Sequence, residues 1–260
     1  MFLINKENLN PPYHSYGWFH LMWLGFFFIL AFIFVFFLAR KHNKKIDNIV
    51  TIAIGSLLLA LEVAKQIYVV KGKGFYPDSL IPLQLCSLPM FLWIPAVFLP
   101  ESKPKAACYS FLSSYTFISG LLILIYPETC IGGSDLLLNI HSMIWHIGIT
   151  ILGLYLSVSR GFGKNFKKDV IYPAILFVFF VAIVVTLNET LNANGHKLNL
   201  FYLDFNRGSL FDINSKLIYV AGETRLDWVI YIFSYTFGLI LLTCIEFFIF
   251  KLIHKIKNKN

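Results

Sequence analysis

An all-α, polytopic membrane bundle of about seven transmembrane helices is the fold class that this 260-residue chain predicts, and three features predict it. Hydrophobic residues make up 57% of the chain and charged residues only 14%, whereas soluble domains run at roughly 45–50% apolar and about 25% charged. The apolar residues fall in long blocks, as in the almost unbroken Phe, Ile, Leu and Val of residues 27–38. A block of about 20 residues is what a hydrocarbon core of about 30 Å demands of a helix. The net charge of +8 sits mostly at the ends of these blocks. There it reads as a topology signal rather than a nucleic-acid surface, so no nucleic-acid partner is expected.

Taken in order, the blocks place spans at residues 18–39, 49–70, 80–99, 106–126, 136–158, 169–188 and 227–250, within one transmembrane domain covering 1–260. Residues 1–17 hold two prolines and several polar groups and do not read as a cleavable signal. Pro82, Pro89 and Pro95 mark the third span as irregular, kinked or partly re-entrant, because each proline removes a backbone donor. The segment 189–226 is the one long loop, and its aromatic residues Phe201, Tyr202, Phe205 and Phe211 suit a lid that folds back. Seven spans put 14 Lys and Arg on one side and 7 on the other. The positive-inside rule then sets the C-terminus in the cytoplasm and the N-terminus outside, in a plasma membrane.

Polar groups within the spans are costly in hydrocarbon and mark functional candidates by default. They are His20, Glu62, Lys65, Gln66, Gln84, Cys86, His141, His146, Asn188 and Glu246. All but Glu246 fall in the outer half of their spans and predict one polar pocket open to the outer leaflet. Glu246 lies near the inner end, where it can snorkel toward Lys251. In the fifth span, Asn139, Ser142, His146, Thr150 and Gly153 recur at intervals of three and four and form one bundle-facing stripe. His141 points about 140° away, so His146 is the better interior candidate. Glu62 and Lys65, three residues apart, suit a mutually neutralising pair, although Glu62 could instead orient a histidine.

Cys86 stands in Ile-Pro-Leu-Gln-Leu-Cys-Ser-Leu-Pro, residues 81–89. Near a helix N-terminus the positive end of the dipole favours an anionic thiolate. Pro89 also leaves the Leu85 carbonyl without its usual donor, and a distorted turn of this kind presents a nucleophile well. A buried packing thiol, or a disulfide with Cys130, is the plainer alternative. Cys108 and Cys244 read as structural. The cysteines show no C-x-x-C spacing, and no G-x-S-x-G elbow, P-loop or H-E-x-x-H motif occurs. Neither metal nor cofactor is expected.

The Leu-Gln-Leu-Cys-Ser-Leu of residues 83–88 resembles the Leu-His-Leu-Cys-Ser segment of the YwaF-like integral membrane proteins, with Gln84 at the frequent histidine. Gly120 and Pro127 are similar to that family's Gly/Pro-ended helix. Trp145-His146-Ile147-Gly148 resembles its Ser-His-Gly helix, and Asn188 with Asn199 its paired asparagines. The family's eukaryotic relatives, of the transmembrane protein 164 type, are membrane cysteine acyltransferases that remodel phospholipids. The resemblance implies Cys86 as nucleophile and His146 as general base, with phospholipids and lysophospholipids as partners. Gln84, Ser87 or Asn188 would then hold the oxyanion, with Glu62 and His141 in support. A small-solute or proton-coupled transporter, built on Glu62, Lys65 and His146, is the alternative.

Overall fold

The computed structural model describes residues 15–39, 43–127, 131, 135–205 and 224–257, and the described residues contain helices and no strand. Eight α-helices follow one another: α1 (Trp18–Ile33), α2 (Lys44–Lys73), α3 (Pro89–Phe98), α4 (Lys103–Ser113), α5 (Tyr115–Ile125), α6 (Leu136–Ser159), α7 (Tyr172–Ala193) and α8 (Arg225–Lys257). A π-helical turn, Phe34–Ala39, extends α1, and another, Lys167–Ile171, leads into α7. Among the described residues, six stretches are long and apolar enough to cross a membrane, counting α4 and α5 as one span of 23 residues. At 1.5 Å per residue, the 30 residues of α2 run about 45 Å and project beyond the hydrocarbon.

The third expected span departs most from the sequence reading. Only Pro89–Phe98 of residues 80–99 forms an α-helix, about 15 Å long, which is half a bilayer core. The approach to it is made of two short 3-10 turns, Asp78–Leu80 and Leu85–Ser87, joined by extended chain. Proline explains where the helix begins, since Pro89 occupies its first turn, where the missing donor costs nothing. The Leu85 carbonyl is not left bare: the 3-10 turn brings it the Leu88 N–H at 3.4 Å. At its far end, the buried Lys105 ammonium donates to the Val97 carbonyl at 3.2 Å and to that of Leu99 at 2.7 Å. A cation on the last carbonyls complements the helix dipole.

Alternation of the helices gives the bundle two ends. One, the basic end, carries the α1–α2 connection, residues 99–105 and residues 160–168. The other, the loop end, carries residues 74–88 and 194–205. The α4–α5 break falls at Ser114, where Ser113 and Ser114 hydroxyls bond back to the Tyr109 and Ser110 carbonyls at 2.9 Å each. Such back-bonding bends helices. The bend lets α5 lie against α6 with no side chain between them at Gly153, where a Cβ would come within 2.6–2.8 Å of the Phe117 backbone and Cβ. Gly120 faces Thr150 and Ile149 in the same seam. The small-residue stripe therefore packs helix on helix.

The core follows from this seam. Phe111, Leu112, Tyr115, Leu152, Tyr155 and Phe177 are fully buried at its centre. Large apolar side chains of α1, α7 and α8, such as Phe28, Ile175 and Phe233, point outward. A bundle in lipid exposes apolar residues on its perimeter, since the hydrocarbon tails solvate them.

Candidate active site

Cys86 lies in the second 3-10 turn, half-exposed, and is a free thiol. Cys130, its alternative disulfide partner, lies outside the described residues. The Cys86 backbone is fixed to α6: the Trp145 indole donates to the Cys86 carbonyl at 3.0 Å. Leu58, Met90, Trp145 and Ile149 pack together beneath it, with the Cys86 side chain against them. The turn that carries the thiol is thus anchored one residue away from His146.

His146 is buried, and its Nδ1 lies 2.7 Å from the Ser142 carbonyl and 3.4 Å from the Ser142 hydroxyl. A carbonyl only accepts, so in the neutral ring Nδ1 carries the proton and Nε2 the lone pair. That is the tautomer a general base acting through Nε2 requires. The expected stripe of α6 faces the bundle, with Asn139, His146 and Thr150 all buried. His141 projects elsewhere. It stacks on Trp145 at 5.7 Å and leaves Nε2 buried with no hydrogen-bond partner among the described residues.

The remaining polar candidates are paired off rather than gathered round one cavity. Glu62 accepts from Lys65 and from Gln66, each at 2.7 Å, and Gln66 also donates to the Leu80 carbonyl. This is the neutralised pair expected of their spacing, extended by one amide that ties α2 to the chain before Cys86. His20 links α1 to α5 through the Leu124 carbonyl at 2.9 Å and accepts from the Tyr16 N–H. Ser87 is buried next to Cys86.

Gln84 and Asn188 have a specific task. The Gln84 amide donates to the Asn199 carbonyl at 2.9 Å and accepts the Phe201 N–H at 2.8 Å. The fully buried Asn188 amide does the same for Leu200, at 3.0 and 2.9 Å. Asn192 bonds both the N–H and the carbonyl of Leu198. Three carboxamides, Gln84 ahead of α3 and Asn188 and Asn192 one turn apart on α7, thus replace strand pairing for residues 198–201. The segment they hold is strained: Phe201 and Tyr202 have φ of 54° and 58°. Consecutive left-handed residues with bulky side chains cost about 1–2 kcal/mol each and persist only when their surroundings over-determine them. Part of the long loop therefore does fold back over the bundle, beside Cys86. Residues 206–223, including Phe211, lie outside the described residues.

Several members of the structure escaped the sequence reading. At the basic end, Asp47 is fully buried, accepts from Tyr155 at 3.0 Å and lies 3.6 Å from Arg160, whose guanidinium covers the Tyr109 ring at 3.7 Å. Asp47 lies two residues before the expected span 49–70 and was not among its polar candidates. The signal available was an acid a few residues from a span and an arginine at the end of another. Glu246 does not snorkel. It is 6% exposed and sits 3.3 Å from the Ser157 hydroxyl, while Lys251 lies over the Phe247 and Phe248 rings. Burial by α6 closes the route to the interface.

Comparison with curated proteins and with solved structures gave no match. The TMEM164 family model, in contrast, matches residues 15–247, from the start of α1 almost to the end of α8. With Cys86, His146 and Asn188 all inside that match, the chain is a multi-pass membrane protein that belongs to the TMEM164 family.

Proposed function

We propose that this protein is a membrane-embedded acyltransferase that moves a fatty acyl chain between phospholipids through a thioester on Cys86. His146 Nε2 takes the thiol proton, and the sulfur attacks the ester carbonyl of a phospholipid. The tetrahedral adduct collapses, the carbon–oxygen ester bond breaks, and the leaving alkoxide receives the proton from His146. A lysophospholipid departs. The hydroxyl of a second lysophospholipid then gives its proton to His146 and attacks the thioester carbonyl; the carbon–sulfur bond breaks, the new phospholipid leaves with the chain, and His146 returns the proton to the Cys86 sulfur. Ser87 and the second amide N–H of Gln84 or Asn188 would hold the oxyanion.

The observation that carries this reading is the Trp145–Cys86 hydrogen bond, which anchors the nucleophile's turn to the helix that presents His146 as the Nδ1–H tautomer. The half-exposure of residues 81–86 on an irregular segment supports a donor that arrives laterally, within the bilayer. The Leu-Gln-Leu-Cys-Ser segment favours a bacterial, YwaF-like member, and the basic end favours a plasma-membrane topology with that end cytoplasmic. The transport alternative loses its main support, since the Glu62 carboxylate is occupied by Lys65 and Gln66.

The test is acyl exchange in vesicles of a phospholipid with an isotope-labelled chain, with added lysophospholipid. Parallel double-reciprocal plots that mark a ping-pong sequence, together with loss of exchange in Cys86→Ala, are expected. Full exchange by Cys86→Ala contradicts the reading.

A further inference from the structure

A second group of polar atoms, far from Cys86 in the fold, gathers where α4 gives way to α5. Glu246 stands in the apolar run of α8 and is only 6% exposed. Its Oε1 lies 3.3 Å from the Ser157 hydroxyl of α6, and that hydroxyl donates to the Ser113 carbonyl at 3.0 Å. Ser113 is the last residue of α4, so its carbonyl sits at the negative end of that helix's dipole. Three helices thus bring together a carboxylate, a hydroxyl and a helix-terminal carbonyl. Beside Ser113 lies a cavity of about 10 Å³, room for a single water, lined also by Ser110, Arg160 and Asp169.

The group is short of positive charge. Ser157 has one hydroxyl hydrogen and two neighbouring acceptors. With that hydrogen on the Ser113 carbonyl, Glu246 Oε1 meets a Ser157 lone pair. Glu246 Oε2 is buried with no hydrogen-bond partner among the described residues. No described lysine, arginine or histidine pairs with the carboxylate: Lys251 lies over the Phe247 and Phe248 rings, and Arg160 faces Asp47 at 3.6 Å. A carboxylate buried in this way is costly unless something compensates it. A proton on Oε1 would donate to Ser157 and leave Oε2 bare. A cation held by both carboxylate oxygens and the Ser157 lone pair satisfies all three, while the Ser157 hydrogen stays on Ser113.

We infer that Glu246 and Ser157 bind a monovalent cation, sodium, at the C-terminal end of α4, with water from the neighbouring cavity completing its shell. The ligands are all oxygen, which suits a hard cation rather than zinc or copper. A single carboxylate balances one positive charge, whereas calcium gathers about six to eight oxygens, carboxylates among them. The negative end of the α4 dipole adds to the attraction. The Ser113 carbonyl takes the Ser157 hydrogen and so turns the hydroxyl's lone pair toward the ion. The bound ion joins α6 to α8 beside the α4–α5 break. The site is independent of the acyl-transfer reading.

The experiment uses the purified full chain in detergent, in sodium-free choline chloride at constant ionic strength. Replacing choline by sodium should raise the melting temperature of wild type by about 5–10 °C at a hundredfold excess over Kd. Glu246→Gln keeps the shape of the side chain and removes its charge. In choline it should melt at or above wild type, and it should lose the sodium response. Ser157→Ala, which leaves the carboxylate in place, should respond only at sodium concentrations about tenfold or more higher. Binding of radiolabelled sodium should saturate in wild type and be absent from Glu246→Gln. A melting temperature that sodium does not move, a rise that potassium reproduces at equal concentration, or sodium binding that survives Glu246→Gln overturns the site. The first of these leaves a proton as the partner of Glu246, and none of them bears on Cys86.

Discussion

Replacing Asn188 by alanine removes two hydrogen bonds at once, those to the N–H and the carbonyl of Leu200. Asn188 and Leu200 are both buried, so neither backbone group gains water when the amide is cut away. Each buried orphan costs about 1–3 kcal/mol. Relief of the left-handed strain at Phe201 and Tyr202, about 1–2 kcal/mol per residue, offsets part of that once the loop is released. Taking the middle of each range, the balance is a destabilisation of about 1 kcal/mol, or about 2–4 °C in melting temperature for a chain of this size. Thermal unfolding of purified protein in detergent micelles, followed by tryptophan fluorescence, measures it. Proteolysis should meanwhile become faster within 198–205 and not within α4 or α6. A melting temperature within about 1 °C of wild type, with the loop still protected, refutes the claim that carboxamides hold this segment in place of strand pairing.

Other substitutions separate packing from chemistry. Gly153→Ala should destabilise the bundle by about 1–3 kcal/mol, since the atoms in the way include the Phe117 backbone, whereas Gly25→Ala meets nothing within 4 Å and should change stability by less than about 1 kcal/mol. Asp47→Ala leaves Arg160 without its carboxylate partner and should cost about 3 kcal/mol in the same melting assay. His146→Ala should slow acylation of Cys86 about a hundredfold or more in single-turnover labelling, with the melting temperature little changed. At the basic end, hydrogen bonding to Lys44 holds the exposed Glu101 carboxyl below its ordinary value of 4.5. A depressed acid stabilises the fold above its unfolded pKa, and that contribution fades as pH falls through the lowered folded value. NMR titration should therefore give Glu101 a midpoint below 4.5, rising in Lys44→Ala.

The fold was legible wherever hydrophobicity and small-residue spacing decide it. The six long spans follow from block length, and the α6 face follows from Asn139, His146, Thr150 and Gly153 at helical intervals. Glu62 and Lys65 pair because three residues of helix bring them together. The third span was legible only as irregular. Its prolines show that a helix is interrupted, but the 3-10 turn around Cys86 depends on Trp145, 59 positions away. Gln84 and Asn188 were legible as polar groups at membrane depth and not as loop anchors, because their partners are backbone groups of residues 199–201, which no side-chain pattern records. Asp47 was passed over and Glu246 misplaced for a related reason. A charge near a span end reads as solvated until the neighbouring helix that buries it is known.

The most direct test of the thioester is intact-protein mass spectrometry of wild type and Cys86→Ala, delipidated under mild acid, with and without hydroxylamine. The account predicts a fatty-acyl mass on wild type that hydroxylamine removes, that Cys86→Ala lacks and that His146→Ala reduces. An acyl-free wild type whose Cys86 is instead joined to Cys130 in a disulfide would contradict it.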